Sequence, residues 1–133
     1  MASISIDRGL EEPVYRQVAG QLRRLIAGGA LGPGTALPSV RQLAGDLGVN
    51  LNTIARAYRL LESEGFLVIR DRAGVVVAAP AEEIEGTARA RFLGELRATL
   101  ARLRQAGMTA AELLTVVRRE VAVMEGGKEI DDE

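Results

Sequence analysis

Between Ser39 and Gly65 the chain carries two short helical patterns with almost nothing between them. In the first, Val40, Leu43, Ala44 and Leu47 share one face. In the second, Ile54, Ala57, Tyr58 and Leu61 do the same at spacings of three and one residues. Ser39 and Gln42 stand three apart, as a capping box requires. Gly48 occupies the position where a helix ends in a left-handed turn. Two residues later Asn50 is placed to cap the second helix. Two helices joined by so tight a glycine-containing turn make a helix-turn-helix pattern, and the flanking segments must fit around it.

On the N-terminal side, Val14, Val18, Leu22 and Leu25 recur at spacings of four, four and three, with Ile26 beside them. Pro13 suits the start of such a helix, Gly28-Gly29 stops it, and Gly32-Pro33-Gly34 marks a loop. On the C-terminal side, Phe66–Arg70 and Val75–Ala78 are apolar, largely β-branched runs around the loop Asp71–Gly74, which predicts a hairpin. Three helices followed by a hairpin make a winged helix. The alternating Ser3–Asp7 segment predicts a short edge strand. The expected fold is therefore mainly α with a small β-hairpin, the winged helix-turn-helix covering residues 1–79.

At Pro80 the character changes. Ile84, Ala88, Phe92, Leu96, Leu100 and Leu103 form a helical stripe of about five turns. Gly107 ends it, Thr109 and Glu112 form a second capping box, and Leu113, Leu114, Val117, Val121 and Met124 continue the pattern. These two helices offer more apolar face than each covers on the other. Residues 80–127 are accordingly expected to be a two-helix dimerisation region, with Ile84, Ala88, Phe92, Leu96, Leu100, Leu103, Leu114, Val117 and Val121 in the contact. Residues 128–133 read as a disordered acidic tail.

The 133 residues include no histidine and no cysteine, so the commonest general base, metal ligand and nucleophile are missing. No set of carboxylates pairs with a nucleophile either. Neither a catalytic site nor a metal site nor a cofactor is expected. No apolar run is long enough to span a membrane, and the segment Met1–Pro13 has no basic stretch followed by an apolar one. A cytoplasmic protein without membrane contact is expected. The net charge of −1 speaks at face value against a nucleic-acid partner. It divides unevenly, however: nine arginines meet seven acids up to Pro80, and eight basic residues meet eleven acids after it.

A helix-turn-helix lays its second helix in the major groove of DNA, so the face opposite the buried one must reach base edges. That face holds Asn52, Ala55, Arg56 and Arg59. Asparagine pairs bidentately with adenine and arginine with guanine. Arg56 is better placed than Arg59, because base contacts cluster in the N-terminal half of such a helix. Ser39, Arg41 and Thr53 lie near helix starts, where hydroxyls and free N–H groups favour phosphate oxygens, and the cap residue Asn50 is a further DNA-binding candidate. Arg70 and Arg72 in the hairpin are candidates for backbone or minor-groove contact.

The run Leu37-Pro38-Ser39-Val40-Arg41-Gln42-Leu43-Ala44 resembles the GntR family of bacterial transcription regulators. The resemblance continues through Gly48–Tyr58 and Leu61–Gly65, and takes in Pro13–Val18 and Ile26–Gly34. It covers residues 3 to 79. The short tail resembles the YtrA-like subfamily, whose members end in two dimerising helices without a larger effector domain. By that resemblance Arg41 and Arg56 match positions that touch DNA, and Ser39, Asn52 and Thr53 match positions near backbone or bases. The hairpin tip departs from the family's Gly-Lys-Gly pattern, since Arg72-Ala73-Gly74 keeps only the second glycine. The expectation is a homodimeric, sequence-specific repressor on a pseudo-palindromic double-stranded operator. The alternative is a winged helix that docks proteins without reading DNA. No residue points to a small-molecule effector.

Overall fold

The computed structural model describes residues 4–70, 74–79 and 86–125, with backbone only at 86–88. The chain separates into two compact units, Met1–Ala79 and Pro80–Glu133.

In the first unit, α1 spans Val14–Ala27. Pro13 stands just before it at φ −57°, and its carbonyl accepts the N–H groups of Arg16 and Gln17. Helix α2 spans Val40–Leu47, opened by Ser39: its Oγ accepts from the Gln42 N–H at 3.0 Å, while the Gln42 side chain accepts from the Ser39 N–H at 2.9 Å. Gly48 then turns the chain at φ 69°, ψ 39°, a left-handed conformation that costs a residue with a Cβ roughly 1–2 kcal/mol. Helix α3 spans Leu51–Ser63.

Three strands complete this unit: β1 (Ala36–Leu37), β2 (Leu67–Arg70) and β3 (Gly74–Val77). They form an antiparallel sheet in the order β1-β3-β2. The hairpin register pairs Leu67 with Val77 and Arg70 with Gly74. Leu37, Leu67, Val75 and Val77 turn into the core. The two-residue strand β1 is an addition to the expected hairpin, giving a three-stranded sheet. The core gathers Val18, Ala19 and Leu22 from α1 with Ile54, Ala57, Tyr58 and Leu61 from α3, all at 0% exposure.

Of the expected edge strand Ser3–Asp7, the described residues 4–7 form no strand. These residues pair with no strand; two glutamines of α1 take them up instead. Gln21 accepts from the Ser5 N–H and donates to the Ser5 carbonyl. Gln17, buried at 7% exposure, accepts from the Asp7 N–H and donates to the carbonyls of Asp7 and Glu12. A carboxamide carries a donor and an acceptor side by side, so it satisfies a peptide unit as a neighbouring strand would. Farther along the arm, Arg8 donates to the Gly48 carbonyl at 3.2 Å, in the turn between α2 and α3.

In the second unit, α4 spans Gly86–Gln105 and α5 spans Ala110–Met124. Thr109 and Glu112 form the expected reciprocal cap. Leu113 is buried; Phe92, Leu96, Leu103, Leu114, Val117 and Val121 are exposed. Among the described residues no helix is long and apolar enough to cross a membrane.

Candidate nucleic-acid interface

The candidate site is set by how the core rotates α3. Ile54, Ala57, Tyr58 and Leu61 are buried together, which turns Asn52, Arg56 and Arg59 to solvent on the reverse side. Ala55 and Thr53 lie at the margin, half-buried. The Tyr58 hydroxyl donates to the Pro38 carbonyl at 2.7 Å, immediately before the Ser39 cap. One buried side chain thus fixes the middle of α3 against the start of α2. Burial pushes its phenol up to about 12.

Around this frame the predicted residues gather into two adjoining shallow grooves. Ser39, Arg41 and Asn52 line the first, with Val40, Leu51 and Ala55 as its floor and walls. Asn52, Thr53 and Arg56 line the second, completed by Pro13, Val14 and Tyr15 from the start of α1. Asn52 belongs to both. Arg59 sits apart, beside Glu62 and the sheet residues Ile69 and Val75. Arg70 is exposed at the end of β2, opposite Gly74.

Caps and contacts determine what each group has left to offer. Asn50 Oδ1 accepts from the Asn52 N–H at 2.7 Å, so the cap occupies its oxygen and leaves its NH₂. Ser39 Oγ is likewise taken as an acceptor but keeps its hydrogen to donate. Among the described residues, no carboxylate lies within ion-pair distance of Arg41, Arg56 or Arg59. The Arg23–Glu64 pair, at 2.9 Å, holds α1 to the far end of α3, away from these residues.

Of the remaining predicted residues, Arg72 and Ile84 lie outside the described residues, as does the tail 128–133. Ala88 falls within α4. Phe92, Leu96, Leu103, Leu114, Val117 and Val121 stand exposed on α4 and α5, and Leu100 is half-buried.

One side chain of the second groove, Tyr15, is not among the contact residues expected from the sequence. The Tyr15 ring lies under the Arg56 guanidinium, whose Cζ is 3.9 Å from the ring centroid. Arg16 Nε donates to the Tyr15 hydroxyl at 3.0 Å. That hydrogen bond, opposed by partial burial and helped by the charges of Arg16 and Arg56, makes the Tyr15 phenol more acidic than usual. The sequence signal for Tyr15 is faint: it sits beside Val14 on an amphipathic helix, and only folding brings α3 against it.

The family model for the bacterial regulatory proteins of the gntR family matches residues 14–77, from the first residue of α1 to the last of β3. The chain is 42% identical over 97 residues to the HTH-type transcriptional regulator Rv1152 of Mycobacterium tuberculosis, covering 65% of this chain and 80% of that one. It is 30% identical to the HTH-type transcriptional repressor YtrA of Bacillus subtilis, covering 96% of this chain and 99% of that one. This chain belongs to the GntR family. A solved GntR-family transcription factor, YtrA from Sulfolobus acidocaldarius, superposes with a TM-score of 0.64 at 38% identity, over 78% of this chain and 99% of the other. Membership in the GntR family places the chain among transcriptional regulators and not among enzymes.

Proposed function

We propose that this GntR-family chain is a homodimeric, sequence-specific DNA-binding repressor working in the cytoplasm. The observation that carries this reading is the convergence of Ser39, Arg41, Asn52, Thr53 and Arg56 around the adjoining starts of α2 and α3. Arg56 and Asn52 would read base edges, the first guanine and the second adenine. Ser39, Arg41, Thr53 and the Asn50 amide would hold phosphates and fix the register. Arg59 and Arg70, nearer the sheet, would contact the backbone beside the groove, together with Arg72. Phe92, Leu96 and the other apolar residues of α4 and α5 would pair two subunits. A two-fold dimer then fits a pseudo-palindrome with half-sites about one helical turn apart. Likeness over nearly the whole chain to a protein named as a repressor supports repression over activation.

The test is selection of a duplex from a randomised pool, followed by binding at fixed salt. Wild type is expected to prefer its selected duplex over an unrelated one by at least about 10³-fold. Arg56→Ala is expected to cost about 1–3 kcal/mol on the selected duplex and to relax the preference at one base pair. Equal binding of selected and unrelated DNA would favour a protein-docking winged helix.

A further inference from the structure

We infer that Tyr15 is a positioning residue for base readout: its ring holds the Arg56 guanidinium so that the edge of the fork meets a guanine. This rests on the proposed DNA reading and deepens it, because it brings α1 into base recognition alongside the helix-turn-helix pair.

An exposed arginine has many rotamers, and a readout contact must select one of them. The usual device, an ion pair with a carboxylate, would occupy the same N–H edge that guanine needs. Here the partner is a ring face. With Cζ 3.9 Å from the ring centroid, the guanidinium lies over the face of the Tyr15 ring. Its in-plane N–H donors stay available for the O6 and N7 of a guanine. Among the described residues, no carboxylate competes within ion-pair distance.

The ring itself is held. Arg16 Nε donates to its hydroxyl at 3.0 Å, and Arg16 Cζ lies 5.8 Å from its centroid. Pro13, directly before α1, anchors the helical turn that carries both residues. Tyr15, Asn52, Thr53 and Arg56 line one groove, so the stack stands inside the surface proposed to face the base pairs.

The test uses the full chain and the duplex that wild type selects from a randomised pool, with single-base variants of it and an unrelated duplex. Tyr15→Leu and Tyr15→Met remove the π face and keep apolar bulk; Tyr15→Phe keeps the face and loses the hydroxyl. Both π-deleted variants are expected to bind the selected duplex about fivefold more weakly. Discrimination should fall at the base pair where Arg56→Ala also loses it, and affinity for the unrelated duplex should not change. That last readout also reports folding. Tyr15→Phe should stay within about twofold of wild type. In an Arg56→Ala background, Tyr15→Leu should add nothing further. Wild-type discrimination in the π-deleted variants, or losses that add independently to that of Arg56→Ala, would overturn the inference and leave the DNA reading standing. Failure of wild type to select any duplex would overturn the DNA reading, and this inference with it.

Discussion

The two tyrosines on α1 and α3 show how one residue type is put to opposite uses. Tyr58 is sealed in the core, its hydroxyl given to the Pro38 carbonyl, and burial raises its phenol to about 12. Tyr15 lies between two arginines, and its phenol is lowered, first by the Arg16 hydrogen bond. Tyrosinate absorbance should therefore rise in two steps, Tyr15 below pH 10 and Tyr58 near 12. Tyr15→Phe should delete only the first step. Because the folded state resists ionising Tyr58, its stabilising contribution is whole below pH 10 and is lost as pH rises through about 12. Tyr58→Phe should cost about 1 kcal/mol at neutral pH, through the unpaired Pro38 carbonyl. It should also flatten the fall of the melting temperature between pH 10 and 12. A variant that melts like wild type across that range would assign the alkaline loss to another group.

At the scale of elements, the N-terminal arm and α1 form a joint that acts through side chains. Gln17 binds three backbone groups of the arm: the N–H and carbonyl of Asp7, the carbonyl also accepting from the Leu10 N–H, and the carbonyl of Glu12. Gln17→Leu is nearly isosteric and leaves all three without that partner. It should lower the unfolding free energy by about 2 kcal/mol, read as a reduced denaturant midpoint with an unchanged slope. An unmoved midpoint would mean that Ile4 and Ile6, packed at the edge of the core, hold the arm by themselves. The same joint marks where sequence reading stops. Ser39 with Gln42, Gly48, and the stripe Ile54–Ala57–Tyr58–Leu61 were legible because each is a local rule with a fixed spacing. The Gln17 clamp joins residues ten apart through a side chain, and nothing local announces it. Strand β1 has two residues, too few to show a period. The Tyr15–Arg56 stack depends on how α1 meets α3. Features set by period and capping were readable, whereas features set by packing between distant segments were not.

For the whole molecule, the uneven charge matches the division into two units. The arginines of the proposed interface belong to Met1–Ala79, and the excess of acids belongs to Pro80–Glu133. The total of −1 therefore says little about any one face. In the second unit Leu113 is buried, while Phe92 and Leu96 on α4 and Leu114, Val117 and Val121 on α5 stay exposed. Under the proposed dimer, a charge there has to enter the contact. Phe92→Glu and Leu114→Glu should each halve the mass measured by light scattering. They should weaken binding to a duplex with two half-sites about a hundredfold, with a much smaller effect on a single half-site. Unchanged mass in both variants would remove α4 and α5 from the contact.

Helix α3 builds the core with one side and presents Asn52, Arg56 and Arg59 with the other. The residues that decide whether the chain folds and those proposed to decide what it reads alternate along thirteen positions without sharing any. Under the proposed reading, target preference would change by exchange of three or four solvent-facing side chains while the buried face of α3 stays the same. The frame is a constant, and the outward face of α3 is the variable written on it.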